Sequence, residues 1–86
     1  MADYRVIVQP SADRVLRRLP RETQRRLVAA MRDLATEPRP PSVVKMQGDP
    51  NLWRIRVGDY RIVYEIHDGR VLILVLKIGH RKDIYR

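Results

Sequence analysis

Leu52-Trp53-Arg54-Ile55-Arg56-Val57-Gly58-Asp59-Tyr60-Arg61-Ile62-Val63-Tyr64-Glu65-Ile66 is the stretch that decides the fold. Two alternating runs, Leu52 to Val57 and Tyr60 to Ile66, flank a Gly-Asp pair, the pattern of two antiparallel strands joined by a tight turn. A two-residue loop pairs Val57 with Tyr60 and sets Arg56 directly opposite Arg61. Side chains alternate along a strand, so Arg54 shares that face, while Trp53, Ile55, Val57, Tyr60, Ile62 and Tyr64 point to the other. The second face is the one the core takes.

Downstream, Asp68-Gly69 turns the chain again and sets Glu65 near Leu72. Val71 to Leu76 is a continuous apolar run, as expected of a strand covered on both faces near the centre of a sheet. A short tail, Gly79 to Arg86, follows. Upstream, Gly48-Asp49-Pro50-Asn51 is a turn, and Val43 to Met46 begins the sheet.

Before the proline-rich link Pro38-Arg39-Pro40-Pro41 the period is helical rather than twofold. Leu27, Ala30, Met31 and Leu34 form one apolar stripe, and Ala12, Val15, Leu16 and Leu19 form another, with Arg14, Arg17 and Arg18 on the far side. Ser11 caps the first helix. Pro20 closes it and suits the first turn of the second. Tyr4 to Gln9 reads as a first strand ended by Pro10. The whole is one α+β domain over residues 1–86, a small antiparallel β-sheet packed against an N-terminal two-helix hairpin.

With 86 residues there is room for one compact core, since a chain of this size buries only about 60% of its unfolded surface. No run of 18 apolar residues and no signal-peptide pattern occurs, so the reading is a soluble cytoplasmic protein with no membrane partner. Cysteine is absent, and His67 and His80 are too few soft ligands for a structural zinc; no metal or other cofactor is expected.

The formal charge is +8, and 15 of the 18 cations are arginine. A guanidinium offers a planar fork matched to phosphate or carboxylate, so this balance points to nucleic acid or an acidic protein. An arginine-rich genome with solvated cationic faces accounts for the same composition. Arg54, Arg56 and Arg61 are more specific, because like charges opposite one another destabilise a hairpin by up to about 1 kcal/mol unless an anion sits between them. Glu65 relieves that strain only in part. In the tail, His80, Arg81, Lys82 and Tyr85 bring two cations, an imidazole and a phenol to one short segment that can fold back over the cationic face. Each of these also has an ordinary reading, as a loop or edge residue.

Taken together, these segments resemble the RelE/ParE superfamily of toxins. The likeness rests on Lys45-Met46-Gln47-Gly48, on Trp53 to Tyr64, and on Gly79-His80-Arg81 with Asp83-Ile84-Tyr85. It implies a RelE-like fold and a type II toxin that enters the ribosomal A site and cuts the bound messenger RNA without a metal. On this resemblance the cutting set is Arg54, Arg56, Arg61, Arg81 and Tyr85, and the 2′-hydroxyl of the RNA attacks the adjacent phosphate.

Arg56 and Arg61 would then stabilise the transition-state charge, Arg81 the leaving oxygen, and Tyr85 would stack on a base or assist proton transfer. Lys45 belongs with the RNA-binding residues, and Arg14, Arg17, Arg18, Arg21, Arg25 and Arg26 would hold ribosomal RNA. Arginine is a poor general base. Histidine is the side chain whose unperturbed value suits proton transfer near neutral pH, and His80, beside Arg81, is therefore the expected proton-transfer group. The implied partner besides the ribosome is an acidic antitoxin. Two alternatives remain open: a ParE-like inhibitor of DNA gyrase, and a non-catalytic module that only binds RNA or antitoxin.

Overall fold

The computed structural model describes residues 3–84, with side chains through residue 82. Its elements run β1 (Arg5–Val8), α1 (Pro10–Arg18), α2 (Arg21–Thr36), β2 (Val44–Lys45), β3 (Leu52–Val57), β4 (Tyr60–His67), β5 (Leu72–His80) and α3 (Arg81–Ile84). The five strands form one sheet in the order β1-β5-β4-β3-β2.

Neighbours among β2 to β5 are antiparallel, as expected, but β1 pairs with β5 in parallel, Arg5 beside Leu72 and Val8 beside Val75. The sheet is therefore mixed. An alternating strand has the same pattern in either direction, so the sequence held no sign of this pairing.

The β3–β4 register is the one that a two-residue loop dictates: Val57 faces Tyr60 and Arg56 faces Arg61. Gly58 makes the loop feasible, because it is the first central residue and has a φ of 60°. The β4–β5 connection is longer than a tight turn. Asp68–Arg70 form a 3-10 turn and Val71 adopts a left-handed conformation, so His67 faces Leu72 and Glu65 faces Leu74 rather than Leu72. Further along, Val63 faces Lys77 and Tyr64 faces Val75, which leaves Leu76 as a bulge and carries β5 on to His80.

The helix starts also differ in detail from the reading by residue type. Proline 10 opens α1, where its missing N–H costs nothing, and Ser11 lies inside the helix instead of capping it. Pro20 precedes α2, and its carbonyl accepts the Gln24 N–H. The Gln24 side chain donates back to the carbonyls of Leu19 and Arg17, which ties the end of α1 to the start of α2.

Ala12 and Leu16 of α1 and Leu27, Met31 and Leu34 of α2 pack on Ile55, Ile62, Tyr64, Ile66, Ile73, Val75 and Ile78 of the sheet. Tyr64 is fully buried, its hydroxyl donates to the Pro38 carbonyl at 2.7 Å, and burial pushes its phenol pKa up. Strand β5 has a paired neighbour on both edges, as its apolar run suggested. Its second face is only partly covered, however: Ile73 and Val75 are buried, whereas Leu72, Leu74 and Leu76 are half-buried. The helices thus cover one face of the sheet and leave the other to the arginines.

Candidate active site

Arg54, Arg56 and Arg61 stand on the helix-free face, where alternation and the hairpin register put them. They differ in exposure. Arg56 is exposed and Arg54 half-buried, while Arg61 is only 8% exposed. The buried position of Arg61 on a strand hydrogen-bonded along both edges lowers the screening around its charge, which strengthens the pull on any anion brought to this face. Its Nη1 donates to the Tyr60 carbonyl at 3.2 Å, and Arg56 Nε donates to the Gly58 carbonyl at 3.3 Å. Both guanidinium groups are thus held near the hairpin loop. Glu65 is turned towards His67, with Oε1 3.0 Å from Nε2.

The tail joins the same end of the sheet. Tyr60 pairs with His80 and Arg61 with Gly79, so the start of α3 lies beside the β3–β4 loop. Arg81 donates its backbone N–H to the Asp59 carbonyl at 2.7 Å, and its Nε is 3.9 Å from Asp59 Oδ1. His80 goes elsewhere. As the direct partner of Tyr60 it lies on the core side of the sheet, its ring edge-on to Tyr60 with centroids 5.5 Å apart and its Nδ1 accepting the Lys82 N–H. The sheet therefore stands between His80 and the pair Arg56 and Arg61. Tyr85 lies outside the described residues.

The structure does not bring the proposed RNA-binding cations to this face. Lys45 pairs with Trp53 and sits over its ring at 5.2 Å, with Nζ donating to the Asp49 carbonyl. Arg14, Arg17 and Arg18 are exposed on α1, where Arg17 makes a 2.7 Å ion pair with Asp13. Arg21 and Arg25, together with Arg32, line an open cleft of about 470 Å³ along α2. Arg26 departs from that group: its guanidinium lies against Gly58, 3.3 Å from where a Cβ would stand.

Asp59 is the residue at the site that pattern reading passes over, and the place of Arg26 at the hairpin loop, rather than among the exposed helix cations, carries no signal until the loop and α2 are seen together. Arg39 lies in the proline-rich link of the sequence. It spans the fold, 5.1 Å from the Trp53 ring and bonded to Asp68, which also accepts the Tyr4 hydroxyl.

A phosphate brought to the open face meets guanidinium groups from two strands, with the start of the tail beside the loop that joins them. Such preorganised donors stabilise charge that develops on phosphoryl oxygens. Residues 6–85 match the family model described as ParE toxin of type II toxin-antitoxin system, parDE. Toxin RelG of Mycobacterium tuberculosis is 32% identical over 84 residues, covering 96% of this chain and 97% of its own.

This chain belongs to the RelE/ParE toxin superfamily.

Its RelE-like character is equally plain in three dimensions. The RelE–RelB complex of the archaeon Pyrococcus horikoshii contains a chain 32% identical, with a TM-score of 0.83 over 92% of this chain and 96% of that one. The toxin–antitoxin complex RelBE2 of M. tuberculosis gives 27% identity and a TM-score of 0.81, covering 92% and 99%. The protein is thus a RelE-type toxin of a type II toxin–antitoxin system. The mixed sheet with its helical hairpin is the RelE fold.

Proposed function

We propose that this RelE-type toxin is a metal-independent endoribonuclease that cuts messenger RNA in the ribosomal A site and so halts translation in the cytoplasm. The observation that carries the reading is the Arg56–Arg61 pair on the open face, with Arg54 on the same strand and Arg81 beside the shared loop. That arrangement has the chemistry of a phosphate site. Attack by the 2′-hydroxyl on the neighbouring phosphorus places extra negative charge on the phosphoryl oxygens; a 2′,3′-cyclic phosphate forms as the 5′-oxygen leaves. Arg56 and Arg61 bind the oxygens that gain charge, Arg54 extends the site along β3, and Arg81 steadies the leaving oxygen. Tyr85 completes the set by stacking on a base or assisting proton transfer.

Arginine stays protonated in proteins, so none of the four takes the 2′-proton. With His80 across the sheet, its part in proton transfer is not favoured, and charge stabilisation carries most of the acceleration. The exposed cations Arg14, Arg17, Arg18, Arg21 and Arg25, with Lys45, hold ribosomal RNA in a sequence-independent, salt-sensitive way. The stable protein partner is an acidic antitoxin, supported by the RelE–RelB complexes among the similar structures.

Primer extension on a defined messenger in a purified translation system tests this reading. Wild type is expected to cut at A-site codons only when ribosomes are present, and Arg61→Ala and Arg81→Ala are expected to lose the cuts. A second reading, inhibition of DNA gyrase by protein contact, is favoured by the description of the matching family model. Inhibited supercoiling without any cut messenger would select it.

A further inference from the structure

Strands hold Arg56 and Arg61 in place, but Arg81 follows the last strand on a four-residue helix, so its guanidinium needs a separate anchor. We propose that Asp59 is a positioning residue for Arg81, with the Gly58–Asp59 loop as the shared bracket of the phosphate site. The proposal rests on the ribonuclease reading for its purpose, though not for its geometry.

Three contacts converge on this loop. The Gly58 carbonyl accepts Arg56 Nε, the Asp59 carbonyl accepts the Arg81 N–H, and the Asp59 carboxylate lies 3.9 Å from Arg81 Nε. That last separation is too long for a hydrogen bond but short enough for direct attraction between opposite charges. The bracket is itself braced from behind, since Arg26 of α2 packs on Gly58.

Stability does not explain the carboxylate. Both partners are largely exposed, and an ion pair of that kind contributes little to folding. Nor does substrate attraction, because a negative charge at the mouth of a phosphate site repels RNA. The charge is useful there if it aims Arg81, whose misplacement by about 1 Å can cost a large factor in rate.

A positioning role of this kind separates binding from turnover. Removing the carboxylate lowers repulsion of RNA and at the same time releases Arg81. Asp59→Asn is therefore expected to reduce kcat by about tenfold or more in ribosome-dependent cleavage, with KM unchanged or lower. Asp59→Glu is expected to recover most of the lost rate. In an Arg81→Ala background, Asp59→Asn is expected to cost nothing further. A merely structural role would raise KM or lower the melting temperature, and would show the same loss in either background.

Nuclear magnetic resonance supplies a measurement that needs no activity. The Arg81 Nε–H group is expected to be ordered in wild type and mobile in Asp59→Asn, by 15N relaxation. Equal mobility in the two proteins, or an Asp59→Asn kcat equal to that of wild type, overturns the proposal. A wild type that orders Arg81 through Asp59 yet cuts no messenger would uphold the bracket and defeat the ribonuclease reading.

Discussion

Arg56 and Arg61 face each other across the β3–β4 hairpin as direct partners, one exposed and the other 8% exposed. Like charges in that relationship oppose folding, so on the proposed ribonuclease reading the pair sets stability against function. Arg56→Gln is expected to leave stability unchanged or raise it by up to about 1 kcal/mol. The same change is expected to cut messenger cleavage by about a hundredfold, as loss of a preorganised oxyanion donor does. Urea melts and primer extension on one preparation check both; a fall in stability together with full activity would contradict the assignment.

His80 packs edge-on to Tyr60 on the core side of the sheet. A residue that moves a proton in the transition state contributes about 10²–10⁴ in rate. His80→Gln is expected to slow cleavage by no more than a few-fold. Single-turnover rates at saturating toxin settle the point, and a loss of two orders of magnitude would return His80 to the proton path.

Asp68 is held below the usual carboxylate range by hydrogen bonds from Arg39 and then Tyr4. A lowered folded-state pKa favours the ionised form, so this stabilisation is present above the unfolded value of about 4 and disappears as pH falls through the folded value. Asp68→Asn should therefore melt below wild type at neutral pH, with the gap closing under acid. Tyr4 acts at the other end of the scale. Its phenol is raised chiefly by the bond to Asp68, so its contribution is present below about pH 10 and is lost as pH rises through the folded value.

Val71 carries a β-branched side chain in the left-handed region, with φ 51° and ψ 49°. The backbone is fixed there because its N–H bonds to the Asp68 carbonyl while its own carbonyl accepts the Arg5 N–H. Left-handed geometry costs such a residue about 1–2 kcal/mol, and asparagine tolerates it better. Val71→Asn should raise the unfolding free energy by about 1 kcal/mol, read from denaturant melts, with cleavage unaffected.

The central hairpin and its arginine face were legible because a Gly-Asp loop fixes register, and register fixes which side chains share a face. β1 was legible as a strand but not as a parallel one, since alternation has no direction. The β4–β5 loop misled by two residues because nothing in a valine announces a left-handed backbone, and Glu65 moved from Leu72 to Leu74 as a result. His80 was placed by its neighbour Arg81 in the chain. The bulge at Leu76 resets the alternation of β5, so only the paired register shows that His80 falls on the core side of the sheet. The role of Asp59 depends on the meeting of a loop with a tail more than twenty residues away, which no local pattern records.

Strand β5 lies between β1, made near the start of the chain, and β4. During synthesis the first strand and the helical hairpin emerge long before their partner exists, and the core residues Ile73, Val75 and Ile78 follow much later. Contacts so distant in sequence delay folding until β5 is available. The toxin would thus stay unformed on the ribosome until β5 has emerged, and would complete the sheet behind its arginine face only then.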